Sequence, residues 1–245
     1  MKNILLSLFF LLTWEQALAQ EVTPRRQPGA KMTLYTPEQH QHYDGHFILS
    51  AGRIYQVGRH TDPAGWDHMG NDASNVHPVE GTADIDVDEI KNTGHFVAHL
   101  TIPEGDLILE LNQFQEFSPC QDGGLAAYLY EHGDAGCGDA NWPKTFVYIA
   151  GWGYGRATLN AKPLYENYEM HFMVTQGIRD RETLQVKYPS PDKQSPAPDK
   201  QSPAGEVNPA AVQLDFYIRS PEVDQRNHPT RRVFDHFFAM QVTWK

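Results

Sequence analysis

Histidine is the residue type whose number and spacing in this sequence most strongly suggest chemistry. Twelve histidines occur among 245 residues, and eight of them precede residue 100. The imidazole side chain is the commonest metal ligand in proteins and suits copper, zinc and nickel. His40, His42 and His46 form an HxHxxxH pattern, and all three project to the same side of an extended chain because their separations are even. We expect them to act as an acquisition arm for a metal ion; the alternative is a polar leader that binds nothing.

A second set of histidines lies in segments whose residues alternate as in β-strands. His95 and His99 share one face of a strand predicted over residues 94–102, while His171 and His236 belong to two later strands. If the strands bearing His95, His171 and His236 are neighbours, their imidazoles converge on a copper or zinc site. His99 would then support these core ligands. Taken singly, each histidine fits better as a half-buried ring that is hydrogen-bonded to backbone or to a carboxylate.

Aromatic residues near glycine-rich segments give a second functional hypothesis. Trp142, Trp152 and Tyr154 could stack against sugar rings, because aromatic faces pack on flat apolar partners. The alternative function is therefore a carbohydrate- or cell-surface-binding module. A secreted hydrolase is a weaker alternative, since glycoside hydrolysis needs two carboxylates across a groove and the spacing singles out no pair. We therefore favour a non-catalytic binding protein.

Several familiar motifs are absent or incomplete. The sequence contains no GxxxxGK[ST], HExxH or GxSxG pattern. The glycine-rich run at residues 151–155 lacks the following helix that would hold a phosphate, so we expect a tight strand or bulge there. The DxDxD run at residues 84–88 is spaced like calcium ligands, but Glu89 stands where an EF-hand loop needs glycine. Calcium is therefore less favoured than copper or zinc, and we expect the acidic run to form a solvated strand edge.

The charge balance limits the partners of the protein. Lys and Arg number 20 against 31 Asp and Glu, which gives a formal net charge of -11 at pH 7. Such an acidic chain repels phosphate backbones and anionic lipid surfaces, so we expect no nucleic-acid partner. A metal ion or an extracellular glycan is the expected partner, and the sequence points to no particular protein partner.

The first residues have the pattern of an export signal. Lys2 is followed by an apolar run too short to span a bilayer, and a small-x-small pattern suggests cleavage near Ala19. We expect residues 1–19 to be removed and the mature chain to be secreted or periplasmic. No later apolar stretch reaches 18 residues, so we expect no transmembrane segment in the mature chain. In such a compartment Cys120 and Cys137 are expected to form a disulfide; a pair of soft metal ligands is the alternative.

The rest of the sequence is typical of short β-strands separated by Gly and Pro rather than of helices. We expect an all-β fold, an antiparallel β-sandwich of the Ig-like or jelly-roll type, forming one domain with long loops over residues 46–245. Residues 20–45 precede it as a polar leader. The heptapeptide PDKQSPA occurs twice in tandem within a Pro-rich segment at 189–206, which we expect to be an exposed loop insertion. It is not a domain linker, because the residues after it hold only about two strands, which need an existing sheet.

Overall fold

A computed structural model gives the fold of the chain. The structure describes residues 44–57, 76–115, 124–132, 135, 144–186, 212–220 and 234–245. Within these residues the chain forms nine β-strands. They are β1 (His46–Val57), β2 (Val76–Asp88), β3 (Thr93–Ile102), β4 (Gly105–Phe114), β5 (Leu125–Glu131), β6 (Thr145–Leu159), β7 (Lys162–Thr175), β8 (Gln213–Arg219) and β9 (Phe234–Trp244).

The strands form one antiparallel sheet that closes on itself. The pairing order is β4-β3-β2-β1-β9-β8-β7-β6, and a further pairing between β4 and β6 joins the two ends. Eight strands therefore make a closed barrel in which neighbours along the chain are neighbours in space. β5 continues the line of β4 along the same edge of β6: β4 pairs with residues 153–159 of β6, and β5 pairs with residues 145–151.

The all-β, antiparallel class expected from the sequence is confirmed, but the expected sandwich is wrong. A sandwich consists of two sheets that face each other, whereas the β4–β6 pairing leaves a single closed sheet. The error has a simple cause. Inward and outward residues alternate along each strand in both architectures, so the alternation alone does not reveal whether the sheet closes.

Side chains from opposite parts of the sheet fill the interior of the barrel. Phe96 on β3 packs against Phe172 on β7 and Phe216 on β8, with ring centroids 5.4 and 5.1 Å apart. Phe216 in turn stacks on Phe237 of β9 at 5.3 Å. All four rings are fully buried. Aromatic packing across the lumen thus links strands that are not neighbours in the sheet.

Three glycines at alternate positions of β6 allow the barrel to close tightly. A Cβ atom at Gly151 would lie 2.4 Å from the ring of Phe172. A Cβ atom at Gly153 would lie 1.9 Å from the carbonyl oxygen of Gln113 on β4, and one at Gly155 would also meet the β4 backbone, at 2.4 Å. The glycine-rich run therefore forms a strand, and its missing side chains let β4 approach β6 closely.

The outer wall of the barrel is buried on one side. In β2 and β3 buried residues alternate with more exposed ones, as expected of a wall that faces solvent. Residues 145–153 of β6, 170–175 of β7 and 235–240 of β9 are instead buried without alternation. Part of this outer face lies beneath residues 176–186, which we call the strap. Ile178 of the strap packs in a cluster with Trp152, and Leu184 packs against a cluster that contains Phe238.

Several sequence predictions concern residues outside those that the structure describes. These are the signal segment, the leader residues His40 and His42, Cys120 and Cys137, Trp142, and the Pro-rich insertion. They stay predictions. None of the described residues belongs to a helix with the length and hydrophobicity needed to traverse a bilayer.

The seam between β4 and β6 should be sensitive to a single methyl group. We expect Gly153→Ala to lower the free energy of unfolding by about 1–3 kcal/mol, because the new Cβ would force two paired backbones apart. Gly52→Ala is the matched control, since a Cβ there would meet no atom within 4 Å. Urea unfolding monitored by tryptophan fluorescence measures both effects. Equal stability of the two variants would contradict the close approach at the seam.

Candidate functional site

The buried outer face carries three rows of side chains that run across β6, β7, β8 and β9. Residues within a row lie directly opposite one another on neighbouring strands. The deep row is Ala150, Met173, Asp215 and Phe238; the middle row is Trp152, His171, Tyr217 and His236; the rim row is Tyr154, Glu169, Arg219 and Phe234. Every member of the deep row is buried, and every member of the rim row is half-buried. The middle row thus lies between a closed side and a more open one.

His171 is the central side chain of the middle row. It is only 6% exposed, and its Nδ1 lies 3.0 Å from the carbonyl oxygen of Gly151. A carbonyl can only accept a hydrogen bond, so Nδ1 carries the proton and Nε2 keeps its lone pair. The ring stacks on Trp152, with centroids 4.7 Å apart, and the Tyr217 ring lies at 5.4 Å on the next strand. His171 is therefore held in one tautomer and one orientation.

Glu131, at the end of β5, faces this imidazole. Its Oε2 lies 3.9 Å from Nε2 of His171 and 3.8 Å from Nε2 of His132. Both separations exceed a hydrogen bond, so neither imidazole donates one to this carboxylate oxygen. Glu131 is 2% exposed, and its Oε1 makes no hydrogen bond to any residue of the described part of the chain. Such unbonded buried oxygens are uncommon, and both carboxylate oxygens of the buried Asp215 share this condition.

Local backbone geometry directs Glu131 outward. Ala127 and Tyr130 both belong to or pack against the interior core although they are three residues apart, so the alternation of β5 shifts between them. Tyr128 marks the shift with a φ of 53°, and His132 has a φ of 65°. For non-glycine residues such left-handed conformations cost about 1–3 kcal/mol each. The left-handed backbone on both sides of Glu131 therefore directs its side chain to the outer face. β-Bulges commonly redirect side chains in this way next to functional sites.

Burial keeps Glu131, His171 and Tyr217 neutral near pH 7. It raises the pKa of Glu131 to about 8 and lowers the pKa of His171 to about 3, although the hydrogen bond to Gly151 opposes the second shift. The charge of Arg219 contributes to the lowered pKa of His171, which places Arg219 within electrostatic reach of that ring. Burial also raises the pKa of Tyr217 to about 12. The site thus combines a carboxylic acid, a neutral imidazole and a phenol.

A second polar cluster joins Arg179 of the strap to Asp215 of the deep row and His236 of the middle row. Asp215 Oδ1 lies 3.7 Å from Nε of Arg179 and 3.6 Å from Nε2 of His236. Arg179 is fully buried, and its guanidinium group lies 4.1 Å from the centre of the Phe238 ring. Its backbone N–H and carbonyl group both hydrogen-bond to the side-chain amide of Gln213, at 3.0 Å. The charges in this cluster compensate each other, and its contacts hold the strap on the barrel.

The rim row contains one further ion pair. The Nε atom of Arg219 donates a hydrogen bond to the carboxylate of Glu169. The Arg219 side chain is 33% exposed, and its guanidinium carbon lies 5.6 Å from the centre of the Tyr217 ring. A positive charge therefore stands at the open side of the middle row.

The structure brings together some of the predicted metal ligands and separates others. His171 and His236 lie in the middle row, with Tyr217 between them. His95 and His99 lie exposed on the outer face of β3, which neighbours neither β7 nor β9. The three strands that bear His95, His171 and His236 are thus not adjacent, and His95 does not join the other two.

His46 lies far from this site. It stands at the other end of β1 from Val57, the residue that pairs with His236, and the eleven intervening steps span roughly 35 Å. Its Nε2 is 3.3 Å from Oδ2 of Asp88, which also accepts a hydrogen bond from Lys91 at 2.5 Å. That bond from Lys91 is the main reason why the pKa of Asp88 is lowered.

The aromatic residues proposed for sugar binding have unequal exposure. Trp152 is 5% exposed and has its ring against His171, while Tyr154 is half-buried in the rim row. A ring that stacks on a sugar must present a face to solvent. The geometry of Trp152 therefore supports a role in orienting His171.

Sequence reasoning did not connect Glu131 and His132 with His171. The only signal was that an acidic residue and a histidine are neighbours in the sequence, which is common on protein surfaces. About forty residues separate this pair from His171, and the sequence pattern did not indicate that β5 and β7 flank β6. No sequence pattern indicated that Arg179 and Asp215 would lie together in a buried cluster.

Among the described residues, no group of three or more His, Cys, Asp and Glu side chains is placed so that it could hold a metal ion. The pairwise distances from Oε2 of Glu131 to Nε2 of His132 and of His171 are 3.8 and 3.9 Å. Comparison of the chain with family models, with curated proteins and with solved structures finds no match.

The raised pKa of Glu131 should make stability depend on pH. Folding raises the pKa of this carboxyl group from 4.5 to about 8, so the folded state binds more protons between these values. Stability therefore falls as pH rises through this window, by up to about 1.4 kcal/mol per pH unit. His171, with its lowered pKa, has the opposite effect only below about pH 6.5.

We expect Glu131→Gln to remove the fall in stability between about pH 6.5 and 8. Urea midpoints measured across this range test the prediction. Glu80→Gln, at an exposed position on β2, is the control and should keep the wild-type slope. An unchanged slope in Glu131→Gln would show that the carboxyl group is ionised when folded.

The ion pair between Arg179 of the strap and Asp215 should contribute to stability as a coupled pair. We expect Arg179→Met to lower the free energy of unfolding by about 3–5 kcal/mol, because it leaves the buried Asp215 without its cation. Adding Asp215→Asn should recover part of this loss, since the uncompensated charge is then gone. Thermal and urea unfolding of the two single variants and the double variant measure the coupling. Strictly additive losses would contradict the pairing.

Proposed function

We propose that the protein is an exported, non-catalytic binding protein for a first-row transition metal, zinc or copper, held by Glu131, His132 and His171. The observation that carries this proposal is that two imidazole nitrogens face one buried carboxylate oxygen, at 3.8 and 3.9 Å. Zinc is bound by two histidines and one glutamate in some enzymes, so these three residue types are suitable ligands; the non-catalytic role is part of the proposal and does not follow from the ligand set.

The tautomer of His171 supports the proposal. A metal-ligating histidine usually donates its other ring N–H to a backbone carbonyl or a carboxylate, which fixes the ring and its free lone pair. His171 does this with Gly151, and its Nε2 is directed towards Glu131. The stacked ring of Trp152 restricts the imidazole further.

The spacing of the donors is slightly wider than a bound ion requires. Metal–nitrogen and metal–oxygen bonds of about 2.0–2.2 Å in a tetrahedral site separate the donors by about 3.3–3.5 Å. The observed separations of 3.8 and 3.9 Å exceed this by about half an ångström. Binding would therefore require side-chain rotations of Glu131 and His132, at the end of β5, that shorten these distances.

Two parts of the sequence hypothesis change in this proposal. His236 is assigned to the cluster with Asp215 that holds the strap, rather than to the metal. His95 and His99 are assigned no role in the site, because they lie on β3. An acquisition arm formed by His40, His42 and His46 remains part of the proposal as a separate, weaker site, distant from the barrel wall that carries His171.

Metal titration tests the proposed function. We expect the mature chain, carrying His40→Ala and His42→Ala to remove the signal of the arm, to bind one Zn²⁺ or Cu²⁺ ion in isothermal titration calorimetry. His171→Ala and Glu131→Ala should each weaken binding by at least about tenfold, because each removes a direct ligand; even a lost partner behind the ligands costs about 10–100-fold.

His95→Ala and His99→Ala are the matched controls, since they remove exposed histidines from the other side of the barrel. Both should bind the metal as the parent does. His171→Gln keeps a polar side chain and serves if the alanine variant does not fold. Equal metal affinity in the parent and both His171 variants would overturn the proposal.

A further inference from the structure

The strap places an arginine side chain against the outer wall of the barrel. The guanidinium group of Arg179 lies 4.1 Å from the centre of the Phe238 ring, and its Nε lies 3.7 Å from Oδ1 of Asp215. A carboxylate and an aromatic face are the partners that suit a guanidinium group removed from water. The barrel wall therefore forms a pocket for a guanidinium group, and Arg179 occupies it.

The wall also binds the backbone of the residue that carries this side chain. The side-chain amide of Gln213 accepts a hydrogen bond from the N–H of Arg179 and donates one to its carbonyl oxygen, both at 3.0 Å. Any peptide offers this pair of backbone groups at each residue except proline. The preceding residue, Ile178, packs in the apolar cluster that contains Trp152 and Met173. The wall thus recognises an apolar residue followed by arginine through the backbone and both side chains.

The strap is a hairpin laid on the wall rather than a part of the sheet. Gln176, at its start, donates a backbone hydrogen bond to the Phe146 carbonyl of β6. Among the described residues, the backbone–backbone hydrogen bonds made by residues 177–186 stay within that segment. Gly177 has a φ of 85°, a conformation that glycine adopts without steric cost and that suits a hinge. The strap can therefore swing away from the wall without breaking a pairing of the sheet.

The geometry of the pocket leaves room for a better-placed arginine. Neither carboxylate oxygen of Asp215 accepts a hydrogen bond from the described part of the chain. The 3.7 Å separation from Nε of Arg179 exceeds the roughly 2.7–2.9 Å of a charge-assisted hydrogen bond. A hydrogen bond from Nη1 to the Leu184 carbonyl holds the guanidinium group to the strap itself. An arginine from another chain lacks this constraint and can donate two parallel hydrogen bonds to the carboxylate.

We propose that this wall is a binding site for a partner peptide segment in which an apolar residue precedes arginine, and that the strap covers the site as an internal mimic of the partner. The partner's arginine replaces Arg179 against Asp215 and Phe238, and its apolar residue replaces Ile178. The formal net charge of -11 favours the approach of a cationic segment. The inference is independent of the proposed metal site, because it uses none of the three proposed ligands.

Peptide titration of the mature chain tests the proposal. The probe is acetyl-Gly-Ile-Arg-Gly-amide, and the matched control peptide has lysine in place of arginine. We expect Ile178→Ala to bind the probe at least tenfold more tightly than the parent, because a weakened strap leaves the wall accessible in a larger fraction of molecules. The lysine peptide should bind to this variant at least tenfold more weakly, since it lacks the planar fork.

A second substitution in the Ile178→Ala background locates the binding. Adding Asp215→Asn should weaken binding of the probe by at least tenfold, because the carboxylate of the pocket is lost. Adding Glu110→Gln is the matched control, since Glu110 pairs with an arginine, Arg156, on an exposed part of the barrel. This control should bind the probe as Ile178→Ala does.

Amide hydrogen exchange of the parent gives a measurement that needs no variant. The backbone N–H of Arg179 is bonded to Gln213 when the strap is closed, and the bound probe takes over that bond. We therefore expect this amide to exchange at least tenfold faster at saturating probe, while the amides of β3 exchange at an unchanged rate.

Four results would overturn the inference. The first is absence of probe binding to Ile178→Ala, and the second is equal affinity for the arginine and lysine peptides. The third is equal affinity with and without Asp215→Asn, or an Arg179 amide in the parent that the probe leaves protected. The fourth is dimerisation of Ile178→Ala in light scattering without peptide, which would identify the strap of a second copy as the occupant.

Discussion

Burial of both faces of the wall formed by β6, β7, β8 and β9 is the constraint on which the rest of the site depends. A barrel strand needs only its inner face to be apolar, and β2 and β3 follow that pattern. On the other side of the barrel the outward residues are buried as well. The backbone groups there are already used by the sheet, so the polar side chains must satisfy one another. Water no longer screens their charges, and for that reason small differences in their partners decide which of them stay ionised.

Closure of the barrel and construction of the site are linked through β6. Its C-terminal half pairs with β4 and closes the ring, and its N-terminal half extends further and pairs with β5. The extension gives β5 an edge on which to end, with Glu131 as its last residue. The shift in alternation at Tyr128 then places that carboxyl group outside the barrel, with its Oε2 3.9 Å from Nε2 of His171. A shorter β6 would form the same barrel without this site.

The sequence predicted the strands better than their arrangement. The alternation over residues 212–218 correctly assigned Val212, Leu214, Phe216 and Ile218 to the interior, and that over residues 94–102 correctly separated the apolar face from His95 and His99. Alternation reports only which residues share a face of one strand, so it identified His171 as a candidate but did not say which strand lies beside it. The sequence did not identify Glu131 as a site residue, because the left-handed backbone at Tyr128 reverses the alternation of β5. No residue type in that segment indicates the reversal.

The two buried carboxyl groups of the outer face, Asp215 and Glu131, have different basic neighbours. This difference distinguishes the cluster that holds the strap from the candidate site. Asp215 has the guanidinium group of Arg179 beside it, so its negative charge is compensated by the protein itself. Glu131 has only imidazoles as basic neighbours among the residues of the described ranges, and burial of His171 disfavours its positive form. The Asp215 cluster therefore contains its own countercharge, whereas no Lys or Arg among the described residues pairs with Glu131. The proposed cation-binding role would account for a buried acid with left-handed residues on both sides of it.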